Sequence, residues 1–251
     1  MRNIFVLTFI LFSFVVNGYS AGDNNLYWQK GNEYYQQKQY DSAAWYFELI
    51  ATQKPNNADV YYNLGNTYYR LNKIAPAVLN YERALKLNPD YKDARENLVL
   101  TQSRINNHII PVNDIFFIKR WHKITRPDYA NNYAVGALVF FFFVLFLYGL
   151  KLFRKAPEKL QMMQLPGFVI FICLLLLLLS FFSSSNSVGQ NTAVVMQSDV
   201  PLLNTDLKGK PLTLIPEGTT VKLGSEKGAW IEVVLPDGRN GWIQANLITK
   251  I

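Results

Sequence analysis

Two periodicities divide the chain. From residue 24 to about residue 104 apolar and aromatic positions recur at helical spacing, and the pattern predicts helices over 24–37, 40–53, 58–71, 74–87 and 92–104. Pro55 and Pro89 stand where the second and fourth of these must stop, because proline lacks the N–H and clashes with the preceding turn. Pro76 sits near a helix start, where the missing N–H costs nothing. From residue 188 onward the period shortens. Alternating β-branched runs predict strands at 192–197, 211–214, 219–223, 229–235, 240–244 and 247–250, with Pro236-Asp237-Gly238 as a hairpin turn.

Between and before these regions the pattern is continuously apolar. Ile4–Val16 follows a single Arg2 and precedes small residues, with Gly18 and Ser20 placed for a cut after Ser20, the layout of a secretory leader over 1–20. Ala134–Leu150 and Gly167–Phe182, the second holding Leu174–Leu179, have no polar face and predict transmembrane helices at 129–150 and 167–183. The connector 151–166 carries Lys151, Arg154, Lys155 and Lys159 against Glu158, which marks a cytoplasmic loop. Residues 107–128 read as an amphipathic linker, with Phe116, Phe117, Ile118 and Trp121 among Lys119, Arg120, Lys123 and Arg126. Those four cations oppose the topology that the leader favours. The expectation is a protein of the cytoplasmic (inner) membrane with both terminal modules on the external or periplasmic side.

Charge and composition narrow the chemistry. The net charge of +7 comes from segments flanking the apolar runs, so it points to lipid headgroups and away from nucleic acid. Cys173 is the single cysteine, and His108 and His122 are the two histidines. No disulfide or cysteine metal cluster can form within the chain. No cofactor is expected, and the chain reads as a non-enzyme.

The helical region repeats itself. Residues 24–57 and 58–91 align without a gap, matching Tyr27 with Tyr61, Gly31 with Gly65, Asn32 with Asn66, Tyr34 with Tyr68, Tyr35 with Tyr69, Ala43 with Ala77, Phe47 with Tyr81 and Pro55 with Pro89. This 34-residue period resembles the tetratricopeptide repeat, with 92–104 as a capping helix, so 24–106 is expected to form two repeats plus a cap. The resemblance implies a groove lined by the first helix of each repeat. Its expected lining is Trp28, Asn32, Tyr35, Tyr62, Asn66, Tyr69 and Arg70, since Tyr27, Tyr34, Tyr61 and Tyr68 fill the core positions. Some members clamp a terminal carboxylate. Asn32 and Asn63 match that pattern, but Trp28, Asp93 and Asn97 replace its cations, which argues against carboxylate capture.

The C-terminal segment 188–251 resembles a bacterial SH3-like domain on Ala193-Val194-Val195, Pro216-Glu217-Gly218-Thr219, Gly228-Ala229-Trp230 and Asp237-Gly238 followed by Gly241-Trp242-Ile243. That resemblance implies a small all-β barrel, with Asp237, Arg239 and Trp242 as the candidate ligand surface; Trp230 and Trp242 also fit a core role. The order of leader, all-α repeat array, transmembrane helical hairpin and SH3-like barrel is similar to the BatE-type aerotolerance proteins of the bacterial Bat operon. It implies a multidomain membrane scaffold in an envelope complex linked to oxidative stress. The implied partners are the lipid bilayer and von Willebrand factor A-type membrane proteins. Peptidoglycan, held by the SH3-like domain, is the alternative.

Overall fold

The computed structural model describes residues 19–111, 116–126, 129–153, 165–188, 191–204 and 210–251. Of the expected leader at 1–20 all but 19–20 lie outside them, and of the expected cytoplasmic loop at 151–166 the stretch 154–164 does. The chain divides into one unit formed by 1–111 with 192–251, and a second formed by 112–191.

In the first unit five helices follow the predicted plan: α1 (Tyr19–Gln36), α2 (Tyr40–Gln53), α3 (Ala58–Arg70), α4 (Ile74–Leu87) and α5 (Lys92–Gln102). Asn57 caps α3 by accepting from the backbone N–H groups of Asp59 at 2.9 Å and Val60 at 3.3 Å, which satisfies two otherwise orphaned donors. The turns inside the two helix pairs place Lys38 (φ 62°) and Asn72 (φ 58°) in the left-handed region, one repeat apart. Each repeat is closed by a ring against a glycine: a Cβ on Gly31 would lie 2.7 Å from Phe47, and one on Gly65 would lie 2.6 Å from Tyr81. Phe47 and Tyr81 are each 1% exposed, so these rings are the centres of the two repeat cores.

The β region holds β1 (Thr192–Val195), β2 (Val200–Leu202), β3 (Thr213–Ile215), β4 (Thr220–Lys227), β5 (Trp230–Val234), β6 (Asn240–Gln244) and β7 (Ile248–Lys250). Five of them make an antiparallel sheet in the order β6-β5-β4-β1-β7, and β2 pairs with β3 as a separate ribbon. Inward-facing Val195, Val221, Ile231, Val233 and Ile243 form its core with Leu202 and Ile215 of the ribbon. Val194 instead belongs to the core of the second repeat, with Ile74, Val78 and Ile105. Thus β1 is shared: one face serves the sheet and the other seats on the repeats. The seat is completed by Thr220 Oγ1 with Glu82 Oε1 at 3.1 Å, Arg83 Nη2 donating to the Lys250 carbonyl at 3.2 Å, and Lys86 Nζ donating to the Ile251 carbonyl at 2.6 Å.

The second unit contains α6 (Phe116–Ile124), α7 (Ala130–Phe153) and α8 (Leu165–Val188). The last two pack together. Ala137 is buried, Ser180 Oγ donates to the Ala130 carbonyl at 2.8 Å, and Ser183 Oγ donates to the Arg126 carbonyl.

Three expectations are corrected here. The helices expected to span a membrane at 129–150 and 167–183 do form, yet among the described residues no helix is long and apolar enough to cross one. The transmembrane hairpin, the membrane anchor and the inner-membrane placement with external modules fall with this finding.

The expected SH3-like barrel is likewise not closed among the described residues. Closure needs two neighbours for every strand. Here β7 pairs only with β1, and the outer edge of β6 meets the ribbon at the single bridge Leu203–Trp242. A ligand role through an SH3 barrel, including peptidoglycan binding, loses its basis. Without span or barrel, the similarity to the Bat-type membrane proteins is overturned, and what survives of that layout is the repeat array.

Candidate functional site

The concave side of the repeats holds a cleft of about 290 Å³ lined by Tyr35, Tyr62, Asn66, Tyr69, Arg70, Tyr81, Asn97 and Leu100. Tyr35 comes from α1, Tyr62 to Arg70 from α3, Tyr81 from α4, and Asn97 and Leu100 from α5. Residues three, four or seven apart share one face of a helix, so Tyr62, Asn66, Tyr69 and Arg70 reach the same cleft from α3.

A polar network fixes the floor. Asn66 Oδ1 accepts from the Tyr81 hydroxyl at 2.7 Å and from Asn97 Nδ2 at 2.8 Å. Both donors meet the same oxygen, so the amide of Asn66 is oriented and its Nδ2 is left to donate. Burial pushes the Tyr81 hydroxyl well above the ordinary tyrosine range, and it remains a proton donor at neutral pH. Beside this floor, Tyr62 packs against Tyr91 at 5.0 Å between ring centroids. The Tyr91 hydroxyl donates to Asp59 at 2.9 Å. Burial, reinforced by the Asp59 bond, also raises the Tyr91 hydroxyl above its usual range.

Five of the seven expected groove residues therefore meet: Tyr35, Tyr62, Asn66, Tyr69 and Arg70. Trp28 does not join them. It packs edge-on against Phe47 at 5.8 Å and belongs to the first repeat's core. Asn32, half-buried on α1, does not line the cleft either. Sequence reasoning missed Tyr81, Asn97 and Leu100. The Tyr81 ring belongs to the core of the second repeat, and its hydroxyl reaches Asn66 in the groove. The available signal was the pairing with Phe47 one repeat earlier, where the same ring position lacks an oxygen. Asn97 lies one period beyond Asn63, so the capping helix continues the groove that the repeats begin.

The candidate surface on the β region is self-satisfied. Asp237 Oδ2 pairs with Arg239 Nη2 at 2.6 Å and with its Nε at 2.8 Å, and Asp237 Oδ1 accepts the Arg239 backbone N–H at 3.1 Å. The Arg239 bond holds the Asp237 carboxyl below its usual range. These groups tie the β5–β6 turn. Trp242 is half-buried, opposite Glu232 on β5, and its backbone exchanges two 2.9 Å hydrogen bonds with Leu203. Trp230 is half-buried as well, and neither tryptophan is part of the sheet's buried core.

Residues 58–91, the second repeat, match the model of the tetratricopeptide repeat. No curated protein matches the chain. Tetratricopeptide repeats are typically units of protein contact, which is consistent with a non-enzymatic role.

Proposed function

We propose that the protein is a non-enzymatic scaffold whose repeat groove holds an extended segment of another protein. One observation carries this reading: four tyrosines, two asparagines, Arg70 and Leu100 converge on a single cleft from four different helices. Tyrosine supplies contact area with few rotatable bonds, and amide groups bond to a peptide backbone without demanding a particular side chain. A small-molecule pocket would be more enclosed and more apolar than this open, tyrosine-lined trough. The β sheet stiffens the array from α4 and leaves the groove lining to the helices.

The test is a paired substitution, Tyr62→Ala with Tyr69→Ala, in the full chain. Recovery of partner proteins by the tagged chain should be lost while far-ultraviolet circular dichroism stays that of the parent. Undiminished recovery by the folded double variant would remove the groove from consideration.

A further inference from the structure

The groove carries a charge pattern that selects among partner segments. Its lining contains one cation, Arg70, and no carboxylate. A second arginine stands beside it. The Arg104 guanidinium lies over the ring of Tyr69, 4.2 Å from its centroid, and Tyr69 is itself a lining residue. Arg70 Nε reaches the Tyr35 hydroxyl at 3.5 Å. Arg70 and Arg104 occupy equivalent positions one 34-residue period apart, and both are exposed. Neither has a carboxylate within ion-pair distance among the described residues, whereas Lys73, Lys92, Lys250 and Arg239 each have one. Asp59, beyond Tyr62 and Tyr91, is engaged by the Tyr91 hydroxyl.

Stacking on tyrosine keeps an arginine flat and leaves its edge donors facing outward, a geometry suited to carboxylates. Asn66 adds an oriented Nδ2 to the same cleft lining. From this arrangement we infer that the groove takes an extended acidic peptide segment, with Arg70 and Arg104 meeting successive Asp or Glu side chains and Asn66 donating to the backbone between them. The inference rests on the groove reading above and adds the chemistry of its occupant. The carboxylates are side chains within a segment and not a chain terminus, since Arg70 is the one cation in the cleft lining and Asp93 and Asn97 stand on α5 where a terminal group would need further cations. A polynucleotide would call for a longer track of cations than two arginines beside one short cleft.

The probe is a fluorescein-labelled twelve-residue peptide rich in Glu and Asp, with both chain ends chemically blocked, titrated into the full chain by fluorescence polarisation. The Gln/Asn version of the same peptide and a twelve-nucleotide single-stranded RNA serve as competitors. The acidic peptide should bind, and the Gln/Asn version should compete at least about tenfold more weakly. Arg70→Gln with Arg104→Gln should weaken acidic binding by about the same factor and reduce its salt dependence. Both side chains are exposed, so the fold should be kept. No binding of the acidic peptide, equal competition by the Gln/Asn peptide, or stronger competition by RNA overturns the inference. Binding of the uncharged peptide that is lost in the Tyr62→Ala, Tyr69→Ala variant would refute the charge inference and leave the groove reading intact. Acidic binding that survives that variant would refute both.

Discussion

The two repeats share a 34-residue plan but are not equivalent. In the first, Phe47 fills the space against Gly31 and makes only apolar and ring contacts, Trp28 among them. In the second, Tyr81 fills the same space against Gly65 and sends a hydroxyl through the core to Asn66. A single oxygen thus converts a packing residue into the support of a polar groove. The outer helices differ too. Glu48 on α2 is exposed and accepts from the Tyr68 hydroxyl, whereas Glu82, one period later on α4, is covered by the sheet and meets Thr220. Local pattern sets the repeat; neighbours decide what each copy does.

The largest effect that would break this contrast is at the glycines. At Gly65 the added Cβ would meet the root of the Tyr81 ring, with Cδ1 at 2.6 Å and Cγ at 3.0 Å, and the ring is tied at its far end by Asn66. At Gly31 it would meet the outer edge of Phe47, with Cε1 at 2.7 Å, and that ring has no polar tether. Gly65→Ala should therefore cost about 2–3 kcal/mol and Gly31→Ala about 1 kcal/mol, measured by urea unfolding of each variant. Equal costs would mean that the two cores are interchangeable.

Tyr81→Phe makes the second repeat resemble the first. It should cost about 1 kcal/mol through the lost bond to Asn66 and weaken groove binding more than its stability change explains. The partner assay above reads the second part. Retained binding in this variant would show that Asn66 is oriented by Asn97 alone.

A smaller effect separates the turns. Lys38 carries a Cβ in the left-handed region and Asn72 has the residue type that tolerates it. Lys38→Gly should stabilise by roughly 0.5–1 kcal/mol, and Asn72→Gly by only a few tenths. Thermal melts of the pair would distinguish them.

The slightest expected change is one of slope. Burial under the sheet raises the Glu82 carboxyl above its ordinary value, only partly offset by the Thr220 hydroxyl. Its charged form is thus the disfavoured one in the folded protein. The associated stability is fully present below the ordinary glutamate range and is lost as the pH rises through the elevated value. Glu82→Gln keeps the contact with Thr220 without the charge, so it should stabilise at neutral pH and flatten stability against pH above the glutamate range. An unchanged slope in that variant would place the titrating group elsewhere.

Much of the fold was legible because its signals are local. Helical spacing and the prolines at 55 and 89 located all five repeat-region helices to within a few residues, apart from the earlier start of α1 at Tyr19. The expected strands were found, but β2 was missed because Pro201 lies inside it; the ladder of β2 is with β3 alone, and a strand unpaired at Pro201 on its other side tolerates a proline. In the groove, Trp28 was misplaced because a period of 3.6 leaves that position at the border of two faces, and Phe47 draws it inward. The seat of the sheet on α4 left no trace in the sequence. Arg83 and Lys86 bind backbone carbonyls there, and any residue supplies a carbonyl. Likewise the continuous apolar runs announced helices correctly, while the similarity of layout read from them, with its membrane spans and barrel, did not survive the structure.

The seat on α4 also has a consequence in time. Its hydrogen bonds join residues 138 to 167 positions apart, whereas those linking the repeats to one another span about one period. Closely spaced contacts form quickly, and widely spaced ones wait on the closure of a long loop. The helices can therefore assemble first, with Ile74 and Ile105 uncovered until Val194 and Gly218 arrive to lie on them. A chain whose helices have assembled before the sheet arrives bares an apolar surface that the finished molecule hides, and slow arrival of the sheet is the step at which aggregation would compete with folding.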